Sequence, residues 1–257
     1  MRPGTHPLIL ALVILLLGLA VRLTPVQAET VNCTAITSLP VTITTQGIYC
    51  LTGELATAIT SGNAIEIATN NVVLDLNGFK LGGLGAGKGT TAHGIHGDSR
   101  QNITIRNGTV RGFLRGILLE DSSVTSQGNV IEEIRADQNT FVGIKAVGRG
   151  NIVRNNQVVA TGGTTTFGAN ADARGIVVTG AEPLVLNNDV IDTVKQGTGT
   201  ATGILFSSAT DALAVNNRIT QADDGIAYVT STGKFRDNLT SSVATPFSGG
   251  TDAGNNN

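Results

Sequence analysis

The sequence predicts an all-β solenoid rather than a closed globule, and three observations predict it. First, the dipeptide Gly-Ile recurs at Gly94, Gly116, Gly143, Gly175, Gly203 and Gly225, with Ala64-Ile65 as a variant. The intervals between those glycines are 22, 27, 32, 28 and 22 residues, one supersecondary unit repeated with uneven insertions. Second, each Gly-Ile opens a short run such as Gly175-Ile-Val-Val178, followed by a turn and a second run led or closed by Asn. Third, Gly reaches 33 residues while Pro stays at 6 and Trp is absent, which fits short strands joined by many turns. Only 14% of residues are charged and the formal net charge is −2, so no global field would recruit nucleic acid or anionic lipid.

Residues 1–28 read as a signal peptide. Arg2 supplies a positive start, Leu8 to Ala20 is an apolar run shorter than a comfortable span, and Val26-Gln27-Ala28 offers a cleavage site before Glu29. A retained N-terminal anchor is the alternative. No later segment is long and apolar enough to cross a bilayer, so the mature protein is expected to be secreted or periplasmic. In that compartment Cys33 and Cys50 can close a disulfide worth roughly 3 kcal/mol, in preference to two buried free thiols.

Residues 29–63 fall outside the repeat. Val41-Thr-Ile-Thr44, a Gln46-Gly47 turn and Ile48-Tyr-Cys-Leu51 suggest a hairpin that caps the first coil. The disulfide would staple that cap. From residue 64 to 240 each unit carries two strand signals, among them Asn71–Gly78, Asn102–Gly108 and Asn129–Ile134. Apolar residues at every second place give each strand one buried face. In this reading Gly turns a corner and Ile anchors the coil to the core.

The recurring Asn suits a corner, where it tolerates left-handed backbone and bonds to local groups. Stacked amides can also bond coil to coil, so Asn156, Asn188, Asn217 and Asn238 are expected to form an internal ladder, with Asn77 and Asn107 as earlier members. The Asn-x-Thr triplets at Asn102, Asn107 and Asn238 fall inside these runs and read as structural rather than glycosylated. Residues 241–257 lose the pattern and read as a cap with a frayed tail.

On these runs, each followed by Gly-rich turns and a Gly-Ile strand, residues 64–240 resemble the right-handed parallel β-helix family. This is the pectate-lyase-like superfamily, which includes carbohydrate-binding and sugar-hydrolase repeat proteins. The chain also resembles exported bacterial members with a short leader flanked by cysteines, as in Cys33–Cys50. The resemblance implies a single-stranded right-handed parallel β-helix of about seven coils, roughly 30 Å long, with an N-terminal hairpin cap. It is specific for fold and unspecific for activity.

Alternation sorts the side chains of the first strand in each coil. With Ile inward, the next residue faces out, giving Glu66, His96, Leu118, Lys145, Val177, Leu205 and Ala227. Two residues on, the outward column is Ala68, Asp98, Glu120, Val147, Thr179, Ser207 and Val229. Glu66, His96, Asp98, Glu120 and Lys145 therefore form one candidate catalytic patch, with Arg115 at its edge as a substrate-binding residue. Paired acids beside Lys or His can cleave a glycosidic bond or draw a proton from beside a sugar carboxylate. Asp98 and Glu120 can alternatively hold Ca²⁺, although no cofactor or metal is required. The plainer alternative is a set of solvated charges on an exposed sheet.

Other motif-like stretches are set aside. Gly82–Gly89 lacks the Ser or Thr of a phosphate-binding loop and reads as an inter-coil loop. His93 and His96, three apart on a strand, should point in different directions, which is poor metal geometry. Asp223-Asp224 is similar to the paired acids of polygalacturonase-like members, but the other elements of that pattern are missing, and both are placed in a turn.

Three functions remain. The first is an exported module that binds a polysaccharide, including an acidic one, without turning it over. The second is a small lyase, epimerase or glycoside hydrolase using the polar patch. The third is a structural or adhesive surface module whose apolar outer columns (Val177, Leu205, Ala227) meet a protein partner.

Overall fold

The computed structural model describes residues 32–257, so the expected leader at 1–28 lies outside the described residues. The chain winds as a β-helix with three faces per coil. On the first face nine strands follow one another: Val41–Ile43, Asn63–Ile67, His93–Asp98, Arg115–Glu120, Val142–Val147, Ala173–Ala181, Ala201–Thr210, then the C-terminal parts of Arg218–Val229 and Leu239–Ser248. Every neighbouring pair is parallel. At about 4.8 Å per coil this face runs roughly 38 Å.

The repeat dictates the core. Ile65, Ile95, Ile117, Ile144, Ile176, Ile204 and Ile226 sit in register, each at most 1% exposed. Burying each such side chain contributes about 1.5–3 kcal/mol. The glycine before each Ile is needed for close approach, not for a turn. A Cβ on Gly175 would lie 2.4 Å from Val190 Cγ1 and 2.5 Å from the Gly203 carbonyl oxygen of the next coil. Gly94, Gly116, Gly143 and Gly203 meet the following glycine's carbonyl in the same way, at 2.5 to 2.8 Å. Coils stack closely here because this column has no side chains.

Corners between the second and third faces are made by single residues in left-handed geometry: Asn77, Asn107, Glu133, Asn155, Asn187, Asn216, Asp237 and Asn255. One place later lies a buried amide column. Asn156 donates through its backbone N and Nδ2 to Asn188 Oδ1, each at 3.0 Å, and the same double bond repeats from Asn188 to Asn217, Asn217 to Asn238 and Asn238 to Asn256. Asn77 and Asn107 stand outside this column. They occupy the left-handed corner itself and bond to Leu51 O and Asp75 Oδ1.

Both ends differ from the sequence expectation. Val41–Ile43 and Gly47–Leu51 do not form a hairpin; they pair in parallel with Ile65–Ile67 and Val72–Asp75. A corner between two faces and a hairpin turn look alike in sequence, since both join alternating runs through Gly. The segment is a coil of the solenoid, and Cys33–Cys50 closes a disulfide across it. At the other end Leu239–Ser248 and Thr251–Asp252 still pair in parallel with the coil before, and Asn256 extends the ladder. Those additions raise the coil count above the expected seven.

Candidate functional site

The first face presents two outward columns that flank the Gly-Ile core. One runs Glu66, His96, Leu118, Lys145, Val177, Leu205, Ala227, in register from strand to strand. The other consists of the residue before each Gly-Ile, or before Ala64-Ile65: Asn63, His93, Arg115, Val142, Arg174, Thr202 and Asp224. The paired register skips each glycine, and these residues emerge on the same outer side as the residue after Ile. His93 and His96 are therefore neighbours, their rings stacked 5.8 Å apart, and not pointed apart as strict alternation implies.

At the early coils these side chains form one chain of hydrogen bonds. His96 Nδ1 lies 2.7 Å from Glu66 Oε2, which also accepts from Asn63 Nδ2 at 2.5 Å. Arg115 Nη1 donates to His93 Nε2 at 3.0 Å, so His93 carries its proton on Nδ1 and donates to Asn63 Oδ1 at 3.1 Å. Burial, reinforced by Arg115, lowers the His93 pKa to about 4 and keeps the ring neutral. The carboxylate on Nδ1 likewise fixes His96 with Nε2 as the open nitrogen, 3.9 Å from Glu120 Oε1.

Asp98 does not join this group. Its carboxylate accepts from Ser122 N at 2.9 Å, Ser122 Oγ and Ser99 Oγ, and the Ser122 hydroxyl bond is the chief cause holding its pKa below the usual range. It ties down the loop after Glu120 in the next coil.

Lys145 and Arg115 stand one coil below His96 and beyond. Both are half-buried, and neither has a carboxylate within ion-pair distance among the described residues. Burial lowers the Lys145 pKa, helped by Arg115 and opposed by Glu120. The Arg115 pKa is lowered too, by burial first. Arg115 Nε is buried without a partner, and the guanidinium groups of Arg115 and Arg174 lie 5.5 and 5.7 Å from the Phe141 ring centre. Arg174 differs in being ion-paired, to Asp172 at 2.8 Å.

From these cations a groove of about 370 Å³ runs down the first face. Its floor is Val177, Leu205 and Ala227, only 4%, 8% and 3% exposed. These columns are therefore no open stripe for a protein partner. Arg174, Thr202 and Asp224 rise on one side and Thr179, Ser207 and Val229 on the other. Asp223 and Asp224 lie within the strand Arg218–Val229 rather than in a turn, and Asp223 pairs with Lys195 at 3.1 Å. The volume falls at the low end for ligand pockets.

The structure thus brings Glu66, His96 and Glu120 together, sets Arg115 and Lys145 beside them, and turns Asp98 aside. Sequence reasoning missed Asn63, Phe141 and Arg174, and set His93 and Asp224 aside as a poor metal pair and a turn. A usable signal existed: the residue before every Gly-Ile was polar in most coils and was never sorted outward. Among the described residues, no group of three or more His, Cys, Asp or Glu side chains is placed to hold a metal ion. Nor is any helix among them long and apolar enough to cross a membrane.

Comparison with known proteins agrees with this architecture. A family model described as the right-handed beta helix region matches residues 93–256, more than half of the chain. No curated protein matches. Among solved structures, the Dettilon tailspike protein is 13% identical at a TM-score of 0.53, covering 87% of this chain and 59% of its own. The enzymatically active domain of bacteriophage CBA120 tailspike protein 2 is 13% identical at a TM-score of 0.52, covering 80% of this chain and 38% of its own. The chain therefore spans less than two thirds of either solved chain, and at this identity the likeness is one of fold.

Proposed function

We propose that this chain, which belongs to the right-handed β-helix family, is an exported protein that binds a polysaccharide bearing acidic groups. A sugar carboxylate would sit between Arg115 and Lys145. The observation that carries the reading is that these two cations are half-buried, drawn together in one groove, and left without an ion-pair partner. Taking a cation out of water is costly unless a counter-charge meets it, and a bound anion would supply one. Thr179 and Ser207 line the groove and offer hydroxyls to a sugar. Export is supported by the Cys33–Cys50 bond, which persists in oxidising compartments.

Calorimetry with uronate polymers tests the reading. Wild type should bind with an affinity that falls as salt rises. Lys145→Ala and Arg115→Gln should each weaken binding roughly tenfold, the effect of losing one charge-assisted contact. Binding that is unmoved by either change, or no binding to any acidic glycan, sinks it.

A second reading rests on the Glu66–His96 bond. A histidine held by a carboxylate on one nitrogen and open on the other is equipped to move a proton. Here Nε2 would accept the proton from the carbon beside the bound carboxylate while Arg115 and Lys145 balance the charge that builds on its oxygens; the glycosidic C–O bond at the next carbon would then break as the C=C bond forms, the leaving oxygen taking a proton from water. Release of unsaturated sugar by wild type and its absence in His96→Asn would establish turnover. If wild type binds and releases nothing, the protein is a binder.

A further inference from the structure

The groove is electrically lopsided. Its upper end holds the unpaired Arg115 and Lys145, and its lower end holds one unpaired acid, Asp224. The Asp224 carboxylate lines the groove, is half-buried, and has neither a hydrogen bond nor an ion pair among the described residues. Lys195 is ion-paired with the neighbouring Asp223 at 3.1 Å, and Arg218, on the same strand as Asp224, with Asp189 at 2.8 Å. Asp172, the other acid of the groove, is neutralised by Arg174. Register places the strand of Asp224 three coils below that of Lys145. At the spacing of parallel strands that is about 14 Å, the reach of a short oligosaccharide lying along the floor.

The geometry points to a bipolar ligand: a glycan segment that presents an anionic group to Arg115 and Lys145 and a protonated amine to Asp224. This rests on the acidic-polysaccharide reading and narrows it to glycans in which acidic sugars are joined to sugars with a free amino group. A wholly acidic polymer would place a second negative charge against Asp224 and be repelled there. A wholly basic one would meet the same obstacle at Lys145. Discrimination by an unpaired charge at each end follows from the cost of leaving a half-buried charge uncompensated or opposed.

The test compares hyaluronan oligosaccharides with their partly N-deacetylated counterparts of the same length, which carry the same carboxylates plus free amines. Polyglucuronate and chitosan oligosaccharides serve as single-charge probes. Wild type should bind the deacetylated form roughly tenfold more tightly than the acetylated one. Asp224→Asn should bring that ratio close to one, through weaker binding of the amine-bearing form and tighter binding of polyglucuronate. Lys145→Ala should weaken both hyaluronan forms. Equal wild-type affinity for the two forms, or an unchanged ratio in Asp224→Asn, overturns the bipolar ligand while leaving acid binding intact. Failure to bind any of the acidic probes overturns both.

Discussion

Replacing Asn188 by Ala cuts the amide column at its middle. Asn188 Oδ1 accepts from the backbone N and the side-chain Nδ2 of Asn156, each at 3.0 Å, and its own Nδ2 donates to Val153 O at 2.9 Å and to Leu186 O and Asn217 Oδ1 at 3.0 Å. The residue is 1% exposed, so water cannot replace these partners. Alanine strands at least two buried donors on Asn156. At about 1–3 kcal/mol for each, the loss should be about 4 kcal/mol, a large part of the 5–15 kcal/mol that typically holds a domain. The preceding residue is the control. Asn187 is exposed, sits at φ 55° and makes amide bonds at 3.3 and 2.8 Å to Asn155 and Asn216. Asn187→Ala should cost about 1 kcal/mol, mainly from left-handed backbone, and Asn187→Gly less. Urea unfolding of the three variants measures the difference. If Asn188→Ala costs no more than Asn187→Ala, the ladder does not hold the coils as argued.

Gly175→Ala should lower stability by about 2 kcal/mol, because its Cβ would meet Val190 and the Gly203 carbonyl at 2.4 and 2.5 Å. Gly53→Ala, where a Cβ meets nothing within 4 Å, should be neutral in the same urea titration. His93 links stability to pH. Its folded pKa of about 4 lies below the unfolded value of 6.5, so the unfolded chain binds the extra proton first. Stability should be full above the unfolded value and decline as pH falls towards 4, by about 2 kcal/mol once solvent screening of this part-exposed ring is allowed for. His93→Asn should flatten that part of the pH profile of the unfolding midpoint. Opening the Cys33–Cys50 bond by Cys33→Ser, which frees a loop of sequence separation 17, should cost about 3 kcal/mol and make the midpoint insensitive to reductant.

Much of the fold was legible because a stacked solenoid repeats one local problem. Each Ile must meet the Ile above and below, so Gly-Ile spacing alone placed Glu66, His96, Leu118, Lys145, Val177, Leu205 and Ala227 in one outward column, in the register observed. The ends were harder, since Val41–Ile43 and Leu239–Ser248 pair by backbone without the dipeptide that marks the inner coils. The site was legible in part. Strict alternation assigned Glu66, His96 and Glu120 to one patch but could not see the break in pairing at Gly94, across which His93 lies beside His96.

The sequence by itself therefore determined the repeat and the identity of most outward residues, because apolar period and glycine position are local properties, while the parallel stacking was what its resemblance implied. Only the tertiary structure decided which of those residues converge. It turned Asp98 onto Ser122, left Arg115, Lys145 and Asp224 without an ion pair among the described residues, and set Val177, Leu205 and Ala227 beneath a groove. Partnership and burial depend on what neighbouring coils and their loops bring alongside, and with intervals of 22 to 32 residues between coils that is not written in any one unit.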